Sequence, residues 1–212
     1  MLAPEGRKIL IILMIFTIVC GITGYGFDSS LLKVFYYIFG VFFIFSINFF
    51  RDPIRIPPDG EKILVSPADG KVVLVKDVND EDVGKAIQVS IFLNIFNVHS
   101  NKMPIAGHVE NVEYKKGDFR AAFDHTASDV NEQTVVVLSH KEKKIKIKQI
   151  AGLIARRIHC YAEVGKSFKT GERFGFIMFG SRTDLIVPSD STINVRVGDK
   201  VKGATTIIGQ IV

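Results

Sequence analysis

Two uncharged apolar stretches open the chain, and strand-like alternation fills most of the remainder. Residues 9–25 and 34–50 each form a 17-residue run without a charged side chain. Such a run is at the short end of what crosses a bilayer as a helix. A polar break, Gly26-Phe-Asp-Ser-Ser-Leu-Leu-Lys33, separates them. The pattern predicts a membrane-associated helical hairpin over 1–50, either spanning or embedded in one leaflet. A cleaved signal peptide is the alternative for the first run. Its Gly21-Ile-Thr-Gly-Tyr-Gly26 end is a poor cleavage site, and a second apolar run comes at once after it.

Residues 51–62 read as a Pro-rich linker, in which Pro53, Pro57 and Pro58 stop the second helix and impose extended backbone. The body, 63–212, shows β-branched or alternating segments at 62–66, 71–76, 86–92, 108–114, 134–139, 144–151, 173–179 and 184–187, parted by Gly, Pro and Asp turns. Ile145, Ile147 and Ile150 with lysines between them predict a half-buried strand. The spacing predicts a mainly β (α+β) fold, a compact barrel- or sandwich-like body behind the hairpin. Residues 152–161 are the turn-rich exception where a helix is expected. Two internal echoes stand out. Pro67-Ala-Asp-Gly-Lys-Val72 resembles Pro104-Ile-Ala-Gly-His-Val109, and Val164-Gly-Lys-Ser-Phe-Lys169 resembles Val197-Gly-Asp-Lys-Val-Lys202. Both are Gly-turn hairpin signatures. The second is also a pattern of biotinyl and lipoyl carrier domains, although β-turns reuse these residues in any case.

Composition sharpens the division. The whole chain is 47% hydrophobic and 23% charged, which excludes disorder and collagen. Only Glu5, Arg7, Lys8, Asp28 and Lys33 are charged in residues 1–50, whereas the remainder carries 24 basic and 20 acidic groups. The net +5 suits an anionic lipid surface. Nucleic acid is not expected as a partner, since there is no Trp, no RNA-recognition aromatic motif and no Cys/His finger spacing. Arg7 and Lys8 precede the first run, and Arg51, Arg55 and Lys62 come after the second, with Lys33 alone between them. The positive-inside rule then places the N-terminus and the body on the cytoplasmic side of the cell membrane. Cys20 and Cys160 lie in different regions and form no disulfide framework, in keeping with a reducing compartment.

Chemistry centres on few residues. The five histidines have no zinc-site spacing, and no metal is expected. His140 sits in a Lys-rich turn and reads as solvated, and His108 and His159 read as packing residues. His99 ends a strand that leads into a polar turn. Asp69 lies in Ser66-Pro-Ala-Asp-Gly70, a turn that needs no function on its own. Ser181 follows Gly180 where an apolar strand breaks off before charged residues. An Asp–His–Ser set is an ordinary way to activate a serine hydroxyl, so a nucleophilic serine is plausible on spacing.

These pieces together resemble the phosphatidylserine decarboxylase proenzyme family in its short form. The resemblance is carried, in order, by the apolar hairpin, Arg51-Asp-Pro53, Ser66-Pro-Ala-Asp-Gly70, Asn97-Val-His-Ser-Asn101 with Pro104 and Gly107, Asn131-Glu132, Gln149-Ile-Ala-Gly-Leu-Ile-Ala-Arg-Arg157, Gly171-Glu-Arg-Phe-Gly175 and Phe179-Gly-Ser-Arg182. It covers almost the whole chain. It implies self-cleavage between Gly180 and Ser181 into a β chain, 1–180, and an α chain, 181–212, which form a heterodimer open to further oligomerisation. Ser181 would become a covalent pyruvoyl group that forms a Schiff base with a serine-headgroup phospholipid. Carbon dioxide would then leave, giving phosphatidylethanolamine, with no metal or soluble cofactor. The family's Asp–His pair falls on Asp69, which orients, and His99, the base for cleavage and a candidate proton donor. Lys102 stands where the long form has a second histidine, and Arg182 where it has threonine. Lys102, Arg156, Arg157 and Arg182 are candidates for the lipid phosphate on charge.

Three alternatives stay open. An archaetidylserine headgroup offers the same amine and carboxylate. A membrane-anchored, non-enzymatic β-barrel carrier or adaptor fits the turn echoes, although only Lys102-Met103 comes near a carrier lysine. An uncleaved serine hydrolase would use Ser181 without a Gly-x-Ser-x-Gly elbow.

Overall fold

The computed structural model describes residues 1–120, 127–152, 157–178 and 180–212. It divides into two compact units, Met1–Ile54 and Arg55–Val212.

In the first unit a short 3-10 turn, Pro4–Gly6, leads into α1 (Arg7–Gly26) and α2 (Ser30–Phe49). Each α-helix has 20 residues, longer than its uncharged run because the flanking polar residues continue the helical backbone. At 1.5 Å per residue that is about 30 Å, the thickness of a bilayer's hydrocarbon core. The connection is tight. Asp28 takes φ +51°, and Lys33 pairs with Asp28 across the turn. A Cβ on Gly24 would stand 2.9 Å from the Lys33 backbone nitrogen, so glycine is what lets the helices meet there. Elsewhere the pair leaves Ile12, Ile15, Ile22, Val41 and Ile44 exposed. Both helices are long and apolar enough to cross a membrane.

The second unit is mostly strand. Its elements are β1 (Ile63–Val65), β2 (Gly70–Asp80), β3 (Gly84–Leu93), β4 (Ser100–Lys102), β5 (Gly107–Lys115), the one-turn α3 (Ala127–Val130), β6 (Gln133–His140), β7 (Lys143–Ile150), β8 (Ile158–Cys160), β9 (Ser167–Phe168), β10 (Arg173–Ile177), β11 (Ser181–Pro188), β12 (Thr192–Ile193), β13 (Lys200–Val201) and β14 (Ile207–Gln210). A curled, antiparallel eight-stranded sheet runs β13-β2-β3-β11-β7-β6-β5-β9. Two three-stranded sheets, β1-β14-β12 and β4-β10-β8, accompany it. The core gathers Val89, Ile91, Leu93, Ile145, Ile147, Leu185 and Val187 from the large sheet with Leu64, Phe174 and Ile208 from the small ones and Met103 just after β4.

Each of the eight segments expected as strands overlaps one, and β2, β3 and β11 run past the expected ends. The others, β4, β8, β9, β12, β13 and β14, are two to four residues long, too short for periodicity to register. The helix expected within 152–161 gives way, in its described part, to β8, which pairs with β10. Residues 153–156 lie outside the described residues.

The sequence echoes mark a structural duplication. Gly70 and Gly107 open β2 and β5, and Gly198 and Gly165 precede β13 and β9, the two edge strands of the large sheet. Gly198 N–H donates to the Val72 carbonyl and Val72 N–H to that of Asp199, at 2.8 and 2.9 Å. Gly165 with Val109, and Val109 with Lys166, repeat the pair of bonds at 2.9 Å each. Both turn glycines have positive φ, +104° and +88°. The ladder is irregular after Val72 in one copy and after Val109 in the other. Two like units therefore cap the two edges of one sheet, which limits edge exposure.

Lys146 departs from the half-buried expectation for β7. Its side chain is 2% exposed and meets Asp80 at 2.7 Å and Asp82 at 2.6 Å, at the tip of the β2–β3 hairpin. Burial pushes the ammonium pKa down, but the bonds and charges of Asp80 and Asp82 outweigh it and the net direction is up. Burial likewise raises the Asp80 carboxyl, and the Lys146 bond with the Asp82 and Val83 amides brings it below its usual 3.8. A depressed carboxylate stabilises the fold above its unfolded pKa and loses that contribution as pH falls through the folded one. A raised lysine stabilises below 10.5 and loses its share as pH climbs past that value. Both contributions are present at neutral pH. Lys146→Ala is expected to cost about 2–3 kcal/mol at pH 7, since it strands a buried carboxylate. Denaturation of the detergent-solubilised chain measures this, and an unchanged midpoint would show the cluster to be ornamental.

Candidate active site

β11 starts at Ser181 directly opposite Leu93, the last residue of β3, and its other edge is bonded to β7. Strand alternation sends Ser181, Thr183 and Leu185 to one face and Arg182, Asp184 and Ile186 to the other. Leu185 belongs to the core, so Ser181 and Thr183 face inward with it. Ser181 is fully buried, and its Oγ has no hydrogen-bond partner among the described residues. A buried hydroxyl left unsatisfied costs about 1–3 kcal/mol, a cost that calls for a reason.

Gly180 precedes it in a left-handed conformation, φ +66°, and nothing lies within 4 Å of where a Cβ would stand. Backbone shape rather than space therefore favours glycine. The Gly180 N–H donates to His99 Nε2 at 3.3 Å. His99 is fully buried, and its Nδ1 lies 2.9 Å from the Asn97 carbonyl. A carbonyl only accepts, so Nδ1 carries the proton and Nε2 presents its lone pair to the 180–181 junction. Ile177 N–H donates to the His99 carbonyl at 3.1 Å, fixing the backbone, and the Phe176 ring stands 6.2 Å from the imidazole. The turn before His99 is laced by its asparagines. Asn97 Oδ1 accepts from Asn94 N–H at 2.9 Å, and Asn94 Oδ1 from Phe96 N–H at 2.8 Å.

The fold thus brings Ser181, Gly180 and His99 together. Asp69 is nearby in the chain's layout, because Lys102 N–H donates to the Pro67 carbonyl at 2.9 Å and ties β4 to the 66–70 segment. The described partners of the Asp69 carboxylate are the Arg55 guanidinium, which grips both oxygens, and Gly203 N–H at 2.8 Å. Lys102 is half-buried in β4 and pairs in register with Arg173. Arg157 is exposed, and Arg156 lies outside the described residues.

Arg182 turns away from Ser181 into the opposite face, where it is fully buried. Its Nε donates to Asp184 Oδ1 at 2.7 Å and its Nη2 to Ser90 Oγ at 2.6 Å. Ser128 Oγ and Gln88 Nε2 donate to Asp184 Oδ2 at 2.5 and 2.9 Å. On the inner face Asn101 Nδ2 donates to Thr183 Oγ1 at 3.0 Å, and Gln149 Nε2 to Asn101 Oδ1 at 2.8 Å. Both faces of β11 beside Ser181 are therefore pinned by buried polar bonds.

Sequence reasoning missed Arg55, read only as a membrane-flanking charge, and Asp184 and Ser90, which lie in strands without a local signal. Asn97, Asn101 and Gln149 stand within the quoted motifs, but their roles depend on pairings between strands. The Cys160 thiol is pushed up by burial, with the Ala162 N–H opposing in part, which keeps it protonated and a poor rival nucleophile. The arrangement can activate one hydroxyl next to one peptide bond, with a neutral imidazole at hand.

Comparison with known proteins bears on this geometry. A family model described as phosphatidylserine decarboxylase matches residues 42–209. A phosphatidylserine decarboxylase proenzyme of Desulfotalea psychrophila is 43% identical over 187 residues, covering 87% of each chain. One from Chlorobium limicola is 44% identical over 175 residues, 82% of each chain. One from Aromatoleum aromaticum is 40% identical over 214 residues, covering 100% of this chain and 96% of the relative. With a mainly β body and a serine–histidine junction on one strand end, the chain belongs to the phosphatidylserine decarboxylase family of enzymes.

Proposed function

We propose that this protein cuts itself between Gly180 and Ser181 and then decarboxylates phosphatidylserine to phosphatidylethanolamine. The observation that carries the reading is the buried, unpartnered Ser181 hydroxyl next to a left-handed Gly180 whose N–H meets His99 Nε2. Ser181 Oγ attacks the Gly180 carbonyl carbon while His99 Nε2 takes its proton. The Gly180–Ser181 C–N bond breaks and the residues become joined through an ester, the Ser181 nitrogen taking up the proton. Removal of the Ser181 α-proton then expels the Gly180 carboxylate and leaves a dehydroalanine on the new terminus. Water adds, ammonia leaves, and residue 181 becomes a pyruvoyl group. The 3.3 Å bond from Gly180 N–H is long enough for the imidazole to exchange it for the hydroxyl at small cost.

The residues present fit such a group, since residue 181 is enclosed and both faces of its strand are held. A pyruvoyl group supplies a carbonyl that takes the substrate amine and draws electrons from the carbon losing carbon dioxide. His99 then returns a proton to that carbon, within the reach of general acid catalysis. Asp69, held by Arg55, steadies the charged imidazole that forms during cleavage. The two products, 1–180 and 181–212, stay together as a heterodimer. The α1–α2 hairpin holds the enzyme at the membrane where its substrate resides, and the flanking Arg and Lys residues favour a cytoplasmic body. A serine headgroup on an archaeal ether lipid would satisfy the same chemistry. A carrier module is less favoured, because Lys102, its nearest candidate, sits half-buried in β4 rather than on an exposed turn.

Intact-mass measurement is expected to show two chains in the purified protein, the smaller beginning with a blocked residue 181. Ser181→Ala should remain one chain without decarboxylase activity. A wild-type chain that stays whole would falsify the reading. His99→Ala is expected to slow cleavage by about 10²–10⁴-fold, the usual worth of a positioned base. Asp69→Asn should slow it less. Equal cleavage rates in all three proteins would remove His99 from the role assigned to it.

A further inference from the structure

A second feature of the same region is not used by the cleavage chemistry. Beside the His99 turn lies a pocket of about 340 Å³ lined by Asp69, Lys71, Asn94, Asn97, Lys200 and Lys202, among others. Lys71 and Lys200 are directly opposite each other in the β2–β13 ladder, so their side chains leave the sheet on the same face. Like charges in that position repel and destabilise a sheet. Lys202 comes two residues on, and all three lysines are exposed. No ion pair joins any of the three to a described carboxylate, whereas Lys33, Lys115, Lys141, Lys143, Lys144 and Lys146 all have one.

The other lining groups point the same way. Asp69 is the one carboxylate, and it is already gripped by Arg55 and Gly203 N–H. The side-chain oxygens of Asn94 and Asn97 are engaged by backbone N–H groups, which leaves their NH2 groups as the ends available to a ligand. The pocket therefore offers donors and positive charge.

The duplicated turn supplies an internal control. At the far edge of the sheet the positions matching Lys71 and Lys200 are His108 and Ser167, also opposite each other. There the pair is neutral and bonded, His108 Nδ1 to Ser167 Oγ at 3.1 Å. The turn does not require two lysines. Only the copy next to His99 carries them.

We propose that Lys71, Lys200 and Lys202, with the Asn94 and Asn97 amides, form a binding site for the phosphodiester of the substrate headgroup. The inference rests on the decarboxylase reading and adds the group that selects a phospholipid over free serine. Three ammonium groups and two amide donors match the charge and acceptor oxygens of a phosphodiester. The site lies at the sheet end where β11 begins: Lys71 pairs with Phe92 and Phe92 with Arg182, so Lys71 and Lys200 leave the sheet on the Arg182 face, and the pocket is joined to the junction through Asn97, whose carbonyl holds His99 Nδ1.

The test uses the full chain in detergent and a Lys71→Gln/Lys200→Gln/Lys202→Gln variant. Calorimetric binding of glycerophosphoserine, a water-soluble headgroup without acyl chains, is the first readout. Affinity should fall about tenfold or more in the variant, as the loss of charge-assisted bonds implies. KM for monomeric dihexanoyl-phosphatidylserine should rise by a similar factor, with no membrane surface present. Thermal denaturation guards against misfolding: relief of the lysine repulsion should leave the midpoint unchanged or raised. Equal glycerophosphoserine affinity in the two proteins would overturn the site. So would a variant whose only loss is sedimentation with anionic vesicles, because the lysines would then serve the lipid surface. Glycerophosphoserine binding that depends on the lysines, in a wild-type chain unable to decarboxylate phosphatidylserine, would instead sink the parent reading and keep the anion site.

Discussion

The architecture around the site depends on one strand being held immobile on four sides. β11 is hydrogen-bonded to β3 on one edge and β7 on the other, and residues 181–187 are all buried. Its inner face is bonded through Thr183 to Asn101 and Gln149, and its outer face through Arg182 and Asp184 to Ser90, Gln88 and Ser128. A buried ion pair such as Arg182–Asp184 adds little stability over apolar packing, but it fixes direction. These bonds hold the backbone of β11 in place where it begins at Ser181. Preorganisation of this kind is what the proposed intramolecular attack would need, because the entropy of approach has been lost during folding.

The imidazole obeys the same logic. Its tautomer is set by a main-chain carbonyl, through the 2.9 Å contact of Nδ1 with Asn97. A carbonyl accepts and does not donate, so it fixes the proton on Nδ1 and turns the Nε2 lone pair toward the 180–181 junction. The Asp69 carboxylate is bonded by the Arg55 guanidinium and by Gly203 N–H. The two motif residues are thus joined through the segment contact of Lys102 with Pro67 and by lining of one pocket through Asp69 and Asn97.

Much of this is legible in the sequence, and the reasons are specific. The hairpin is visible because 17 uncharged residues twice in succession have few other uses. Long strands such as β7 show their alternation, and the repeated Val-Gly turns are visible as turns, although their place at the sheet's two edges comes only from the pairing. Strands of two residues carry no period, so β9, β12 and β13 are invisible as strands. Lys146 reads as a solvated residue because its carboxylate partners lie 64 and more residues away in the chain. Among site residues, Ser181, Gly180 and His99 can be named from the motifs, whereas Arg55 and Asp184 acquire meaning only through contacts across 14 and 56 positions.

The place of residues 181–212 in the topology carries a further consequence. This segment supplies β11 to the middle of the large sheet, β13 to its edge, and β12 and β14 to a three-stranded sheet completed by β1. After the proposed cut it is a separate polymer of 32 residues woven through two sheets. It can be released only by dismantling both of them. The uncut chain reaches this arrangement as one connected molecule, at the entropic advantage of a tether, whereas the severed pieces would have to find each other at their ambient concentration. On the proposed cleavage, the mature enzyme would be a kinetically held object, made once from its precursor and not remade after denaturation. Its working lifetime would then be set by an unfolding rate and not by a reversible equilibrium.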